Sequence, residues 1–207
     1  MPKLINIKPL FLLTLFCVAG CASMTSVPLA KSNQPKYDWQ RYRKTLSQLQ
    51  HFKASGVIGI ILNHQGNSAN FIWQQNGPNH YQLKIYGPFG IDTTTFTGNG
   101  KSVTMTDKQG KQFHATSISQ LMEAQLGWHL PINGLYYWSR ALPEPDLPYQ
   151  LSLNAYGLPA SLKQSGWIIR YQDYALFAGE YTLAQKITLS RDTLKLTAVI
   201  SSWQIKN

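Results

Sequence analysis

The feature that most constrains this chain is its run of short apolar-alternating segments broken at regular intervals by turn residues. Tyr81, Leu83 and Ile85 alternate with Gln82, Lys84 and Tyr86, the period of a strand with one wet face. Segments 54–62, 70–75, 80–86 and 101–107 read as strands, separated by His64-Gln65-Gly66-Asn67, Asn76-Gly77-Pro78-Asn79 and Gly98-Asn99-Gly100. Strands resume at 149–154, 160–164, 167–171, 186–190 and 193–203. Spacing this short predicts sequential antiparallel hairpins, because parallel strands need long crossovers. Three helices are predicted around the sheet. Over 37–50, Trp39, Tyr42, Leu46 and Leu49 share one face, with Asp38 at the start and Arg41, Arg43 and Lys44 elsewhere; such a stripe either packs on the domain or lies on lipid headgroups. Ser117 and Gln120 form a capping box before Ile118, Leu121, Met122 and Leu126, with Gly127 at the C-terminal cap position. Residues 132–142 bring Leu135 and Trp138 to one side before Pro143 stops the helix.

At the N-terminus, Lys3 and Lys8 precede an almost wholly apolar run from Leu10 to Gly20, followed at once by Cys21 and small polar residues. The run is too short for the roughly 20 residues that span a bilayer as a helix, and its flanks are those of a cleaved secretion signal. Val18-Ala19-Gly20-Cys21 resembles the lipobox of bacterial lipoproteins, which implies lipidation at Cys21. Ala22 and Ser23 follow where inner-membrane retention would place aspartate, which implies the outer membrane. The expected organisation is therefore a signal peptide at 1–20, a lipidated N-terminus and flexible tether at 21–36, and one domain at 37–207. Residues 22–36 reach about 20 Å as a coil and about 50 Å fully extended. Cys17 leaves with the signal and Cys21 is taken by lipid, so the domain has no disulfide or thiolate metal site and stands on its core alone.

Loss of Lys3 and Lys8 takes the formal charge from +10 to +8, which suits an anionic partner or a solvated basic surface. Nucleic acid is not expected, because the basic residues are scattered and no recognised binding motif occurs. Catalytic chemistry is equally absent from the pattern: no G-x-S-x-G, no H-E-x-x-H, and five histidines spread through different segments. Gly100-Lys101-Ser102 stops short of a phosphate-binding loop, since Thr95 stands where its first glycine belongs and a strand follows. No enzyme activity, cofactor or metal is expected.

Gly56-Val57-Ile58-Gly59, Phe71-Ile72-Trp73-Gln74-Gln75, Gly87-Pro88-Phe89-Gly90, Gly127-Trp128-His129-Leu130-Pro131, Leu142-Pro143, Trp167-Ile168-Ile169-Arg170-Tyr171 and Trp203, taken in order, resemble the LolB family of outer-membrane lipoprotein receptors. The resemblance spans the mature chain. It implies a mainly β fold, an unclosed antiparallel β-barrel with helices covering an apolar cavity, facing the periplasm from the outer membrane. It also implies a monomer that accepts triacylated lipoproteins from a LolA-like periplasmic carrier and inserts them into outer-membrane phospholipid without ATP. Trp73, Leu83, Leu135 and Trp138 are candidates for the acyl cavity, with plain core packing the alternative. Pro88 suits the first central position of a turn and Phe89 the second, in type I geometry. Turn chemistry alone would fold Phe89 back onto apolar neighbours, whereas the resemblance implies a protruding membrane-insertion residue there. Two positions depart from the family pattern: Phe89 stands where leucine is common, and Ala141 where the helix before the proline usually ends in glycine.

Overall fold

The computed structural model describes residues 27–28, 37–126 and 132–205; Cys21 and Gly127 lie outside them. The hairpin β2 (His51–Leu62) and β3 (Gln65–Asn76) sets the pattern, pairing in unbroken register from His51 opposite Asn76 to Leu62 opposite Gln65. Its turn is only Asn63-His64, both left-handed at φ 49° and 68°, the conformation that two-residue hairpins require because it matches strand twist. This corrects the sequence reading, which gave 64–67 to a turn and began the strand at 70. The polar stretch Gln65 to Ser68 has little strand propensity of its own; register imposed by the turn carries it into the sheet opposite the apolar end of β2.

The chain continues through β4 (His80–Tyr86), a 3-10 turn at Pro88–Gly90, β5 (Thr94–Asn99), β6 (Val103–Thr106), β7 (Gln112–Ala115), α2 (Ile118–Leu126) and α3 (Ile132–Trp138). It ends in β8 (Tyr149–Leu153), β9 (Pro159–Gln164), β10 (Trp167–Phe177), β11 (Tyr181–Arg191) and β12 (Leu194–Ile205). Strand order is β7-β6-β5-β4-β3-β2-β12-β11-β10-β9-β8, every neighbour antiparallel. Among the described residues β7 and β8 do not pair with each other, so the barrel is unclosed, and the connection between these two edges carries α2 and α3.

The first helix, α1 (Trp39–Gln48), starts at Asp38, whose extended backbone lets Oδ1 accept from the Arg41 N–H at 2.8 Å. Its apolar stripe is packed rather than offered to lipid: Tyr42, Leu46 and Leu49 are all buried. Ser117 caps α2 by accepting from the Gln120 N–H at 3.3 Å. The expected reciprocal arm goes elsewhere, since Gln120 Oε1 accepts from the Thr116 hydroxyl at 3.0 Å.

Helix α3 stops at Trp138, four residues before the predicted end. The Leu142 N–H donates to the Tyr137 carbonyl and the Ala141 N–H to that of Trp138, at 3.1 and 3.0 Å, with Ala141 at φ 56°. This is a Schellman cap, in which an alanine occupies the left-handed position usually given to glycine. Within the expected tether a two-residue strand, β1 (Val27–Pro28), pairs with Leu176 and Ala175 of β10, along an edge that β9 leaves free beyond Arg170. Val27 lies six positions after Cys21, a stretch of chain that spans at most about 20 Å.

Candidate functional site

Inward-facing side chains of the sheet meet α3 around a cavity of about 80 Å³. Strands β2 to β4 contribute Ala54, Ile58, Phe71, Trp73, Leu83 and Ile85; β11 and β12 contribute Ile187, Leu189, Leu196, Ala198, Ile200 and Trp203; α3 contributes Leu135, Trp138 and Ser139. The four residues singled out in the sequence, Trp73, Leu83, Leu135 and Trp138, all line this one space. They converge because Trp73 and Leu83 are directly paired across β3 and β4, while Leu135 and Trp138 stand one helical turn apart on the face of α3 above them.

The cavity is apolar because the polar atoms of its wall are turned away from it. Trp73 Nε1 donates to Gln75 Oε1 at 2.8 Å, and Gln75 Nε2 donates in turn to the Gly77 carbonyl at 2.7 Å. Trp138 Nε1 donates to Gln164 Oε1 at 2.8 Å, and the same glutamine bonds both the N–H and the carbonyl of Glu144. These two indoles thus present carbon to the interior, their N–H groups anchored to buried amides, whereas the buried Nε1 of Trp203, the third indole of the wall, has no hydrogen-bond partner among the described residues. Sequence reasoning missed Gln75 and Gln164, although a signal was present: Gln75 follows Phe71 and Trp73 at period two, and Gln164 follows Leu162, so both fall on inward positions where a polar residue needs a partner.

A third buried polar residue, Arg140, carried no such signal. Its guanidinium donates to the carbonyls of Leu46 and Leu49 at 3.1 and 2.7 Å and to that of Tyr136 at 3.0 Å, and lies 3.9 Å from the Tyr136 ring centre. Burial lowers its pKa while the neighbouring Tyr136 and Tyr137 raise it; an arginine remains charged under such shifts. The cation ties the end of α3 to the carbonyl end of α1, where helix polarity favours positive charge.

Phe89 lies on the loop between β4 and β5, with its side chain fully in solvent at 102 % exposure, and Ile91 beside it at 60 %. Its backbone is left-handed, φ 56° and ψ 20°, so the expected type I turn is not formed; the second central residue takes the conformation that type II turns reserve for glycine. The loop is nonetheless well tied. Gly90 N–H donates to the Gly87 carbonyl and Gly87 N–H to that of Ile91, at 3.2 and 2.7 Å. Thr93 Oγ1 donates to the Gly90 carbonyl at 2.8 Å, and Lys108 bridges to Asp92 at 2.9 Å.

Gly100-Lys101-Ser102 is a hairpin turn: Asn99 Oδ1 accepts from the N–H groups of Lys101 and Ser102, both at 3.0 Å. Among the described residues no cluster of three His, Cys, Asp or Glu is placed to hold a metal ion, and no helix is long and apolar enough to cross a membrane.

Comparison with known proteins agrees with this geometry. The family model described as "Outer membrane lipoprotein LolB" matches residues 50–203. The outer-membrane lipoprotein LolB of Francisella tularensis subsp. novicida is 36 % identical over 194 residues, covering 94 % of this chain and 92 % of its own. Those of Chromohalobacter salexigens and Pseudomonas paraeruginosa are 36 % and 33 % identical, covering 91 % and 90 % of this chain and 86 % and 90 % of theirs. In fold the chain is similar to a LolA superfamily protein from Nitrosomonas europaea, with TM-score 0.55, 12 % identity, and coverage of 81 % of this chain and 93 % of that one. It is also similar to a lipoprotein-sorting protein domain from Vibrio parahaemolyticus, with TM-score 0.51, 5 % identity, and coverage of 81 % and 90 %. An unclosed antiparallel barrel, helices over an apolar interior and a sequence match across the domain agree, and the chain belongs to the LolB family of outer-membrane lipoproteins.

Proposed function

We propose that this protein is anchored through lipid on Cys21 to the outer membrane, takes acylated lipoproteins from a LolA-like periplasmic carrier, shelters their acyl chains in the cavity under α3, and releases them into the membrane beside Phe89. The observation that carries the reading is the cavity itself, whose wall from Trp73 and Leu83 to Leu135 and Trp138 is carbon, with both anchored indole N–H groups directed outward. Each methylene removed from water is worth about 0.8 kcal/mol, so a triacylated cargo needs such a shelter at every aqueous step. A cavity that binds the chains less well than a bilayer, and better than the carrier does, gives direction with no coupled reaction. Family membership supports lipoprotein localisation at the outer membrane.

The test is reconstituted transfer of a radiolabelled lipoprotein from loaded carrier to this protein and on to liposomes. Transfer is expected to proceed in chelator and without nucleotide. Arrest under either condition would overturn downhill exchange for that step. Cys21→Ala is expected to abolish metabolic labelling with palmitate, and persistent label in the variant would remove Cys21 as the acyl acceptor.

A further inference from the structure

On the far side of Trp138 the concave face changes character. Gly134 packs against the six-membered ring of Trp138 so closely that a Cβ on it would meet Cζ2 at 2.7 Å. The same glycine forms part of a second pocket, of about 360 Å³, whose wall includes Asn79, Tyr81, Ser117 and Glu144. On β4, Leu83 lines the apolar cavity and Tyr81, two residues earlier on the same face, lines this one, a separation of about 7 Å. The two spaces therefore lie side by side, with Trp138 and Gly134 between them.

The polar groups of this second space are built in. Tyr81 is only 8 % exposed, yet its hydroxyl has no partner among the described residues. The ring lies over Gly98, another wall residue, where an added Cβ would come within 2.7 Å of Oη. A buried unpaired hydroxyl costs stability, as it does at Tyr42 and Tyr171; that of Tyr81 belongs to a residue on the wall of a pocket shared with Ser117 and Glu144, where a ligand could satisfy it. Ser117 Oγ accepts from the Gln120 N–H and keeps its own proton to donate. Glu144 is positioned by its backbone, which is bonded on both sides to buried Gln164 at 2.8 and 2.9 Å, and among the described residues no cation pairs with its carboxylate. That carboxylate disfavours an anionic headgroup at the start of α2. Two hydroxyl donors and one carboxylate acceptor on the wall of a single pocket match a neutral group bearing both C=O and N–H.

We propose that this pocket binds the backbone amides that follow the acylated cysteine of the cargo, Tyr81 and Ser117 donating to carbonyls and Glu144 accepting an N–H, while the acyl chains enter the adjoining cavity. The assignment rests on the acyl-receptor reading of that cavity. It makes the protein a reader of lipopeptides rather than of lipid in general.

Binding would be measured with the chain from Ala22 onward, which retains every described residue, using three probes: a tripalmitoylated cysteinyl-serine peptide, tripalmitoylglycerol and a fluorescent fatty acid. The wild type is expected to favour the lipopeptide over tripalmitoylglycerol by at least tenfold. Tyr81→Phe and Glu144→Gln should each weaken lipopeptide binding five- to tenfold and leave the other two probes within twofold. Tyr81→Phe should also melt at an unchanged or higher temperature, since it removes an unpaired hydroxyl, and this separates loss of a contact from loss of the fold. Equal affinity of the wild type for lipopeptide and tripalmitoylglycerol, or equal loss of all three probes in the variants, would overturn the amide subsite. Failure of the wild type to bind any probe would overturn the acyl receptor and the subsite with it.

Discussion

Phe89 is the residue whose conformation and position are hardest to explain by stability. A bulky side chain at φ 56° costs about 1–2 kcal/mol relative to an ordinary backbone, and full exposure returns nothing through packing. Strain of this kind persists where function maintains it, and a phenyl ring projecting beside Ile91 is suited to entering the interface of a bilayer. Phe89→Gly is therefore expected to raise stability by up to about 1 kcal/mol in urea unfolding, because glycine adopts this backbone without strain, and to slow delivery of cargo to liposomes. Phe89→Leu should deliver normally, whereas Phe89→Glu should fold, accept cargo from the carrier and deliver it poorly, as circular dichroism and separate acceptance and delivery assays would show. Wild-type delivery by the glutamate variant would remove Phe89 from the mechanism, and loss of acceptance alone would move its role to the carrier interface. The buried phenols give a second expectation at this scale. Burial raises the pKa values of Tyr42, Tyr171 and Tyr174 well above the usual phenol range and pushes Tyr81 up to about 12. Their protonated forms are those the fold retains, so the stability they contribute is complete below the unfolded value near pH 10 and falls as pH rises above it. Each phenol that ionises only on unfolding steepens the decline by about 1.4 kcal/mol per pH unit. Of the eleven tyrosines, the exposed ones ionise without unfolding, so the last part of the phenolate absorbance at 295 nm should appear in a cooperative step together with loss of β circular dichroism; ionisation of all eleven with the circular dichroism intact would contradict the burial.

At the level of elements, what was legible in the sequence was whatever repeats. Alternation in β4 and the one-sided stripe of α1 were visible because burial imposes its period directly on residue choice, whereas Trp73, Leu83, Leu135 and Trp138 were brought together as cavity candidates only by the resemblance to the LolB family, with plain core packing left as the alternative. β5 and β7 were missed: Thr94 to Asn99 is mostly small and polar, and Gln112 to Ala115 is a short edge, so their strand state comes from pairing with neighbours rather than from local preference. The turn at Phe89 was assigned the wrong hand because proline followed by a large residue ordinarily selects type I, and nothing local announces a strained exception. Arg140 was invisible for a different reason, since its partners are backbone carbonyls more than ninety positions away in sequence. Those bonds make it the joint between α1 and α3. Arg140→Met keeps much of the aliphatic volume but strands the Leu46 and Leu49 carbonyls in the interior, and is expected to cost about 2–4 kcal/mol in chemical denaturation. A loss below about 0.5 kcal/mol would show that water reaches those carbonyls and that the joint is not structural.

For the molecule as a whole, the decisive comparison is between the space observed and the space its cargo needs. Pockets for drug-sized ligands run to about 300–1,000 Å³, and the apolar cavity holds about 80 Å³, too little for even one long acyl chain. Under the proposed function, an acylated cargo therefore has to displace part of the wall. The sheet resists this because its strands are joined by continuous ladders of hydrogen bonds, whereas α3 is held over the cavity largely by apolar contact, with Arg140 fixing only its C-terminal end. Opening is expected at the N-terminal end of α3, pivoting about that fixed joint, and hydrogen exchange should register acyl binding in α2 and α3 with little change in β2, β3 and β12. Ala198 offers the sharpest test of where the chains go. It lies between Ile58 and Ile187 in the cross-strand pairing, and all three residues line the cavity. Ala198→Leu adds three carbon atoms to that space. Filling it should stabilise the protein by about 0.5–2 kcal/mol, a rise of roughly 2–4 °C in Tm for each kcal/mol in a domain of this size, while the added side chain competes with the first methylenes of an incoming acyl chain. Affinity for a fluorescent acyl probe should then fall by about tenfold, equivalent to about 1.4 kcal/mol, in a variant more stable than the wild type. A variant that is stabilised but binds the probe as well as before would show that the chains lodge outside this cavity.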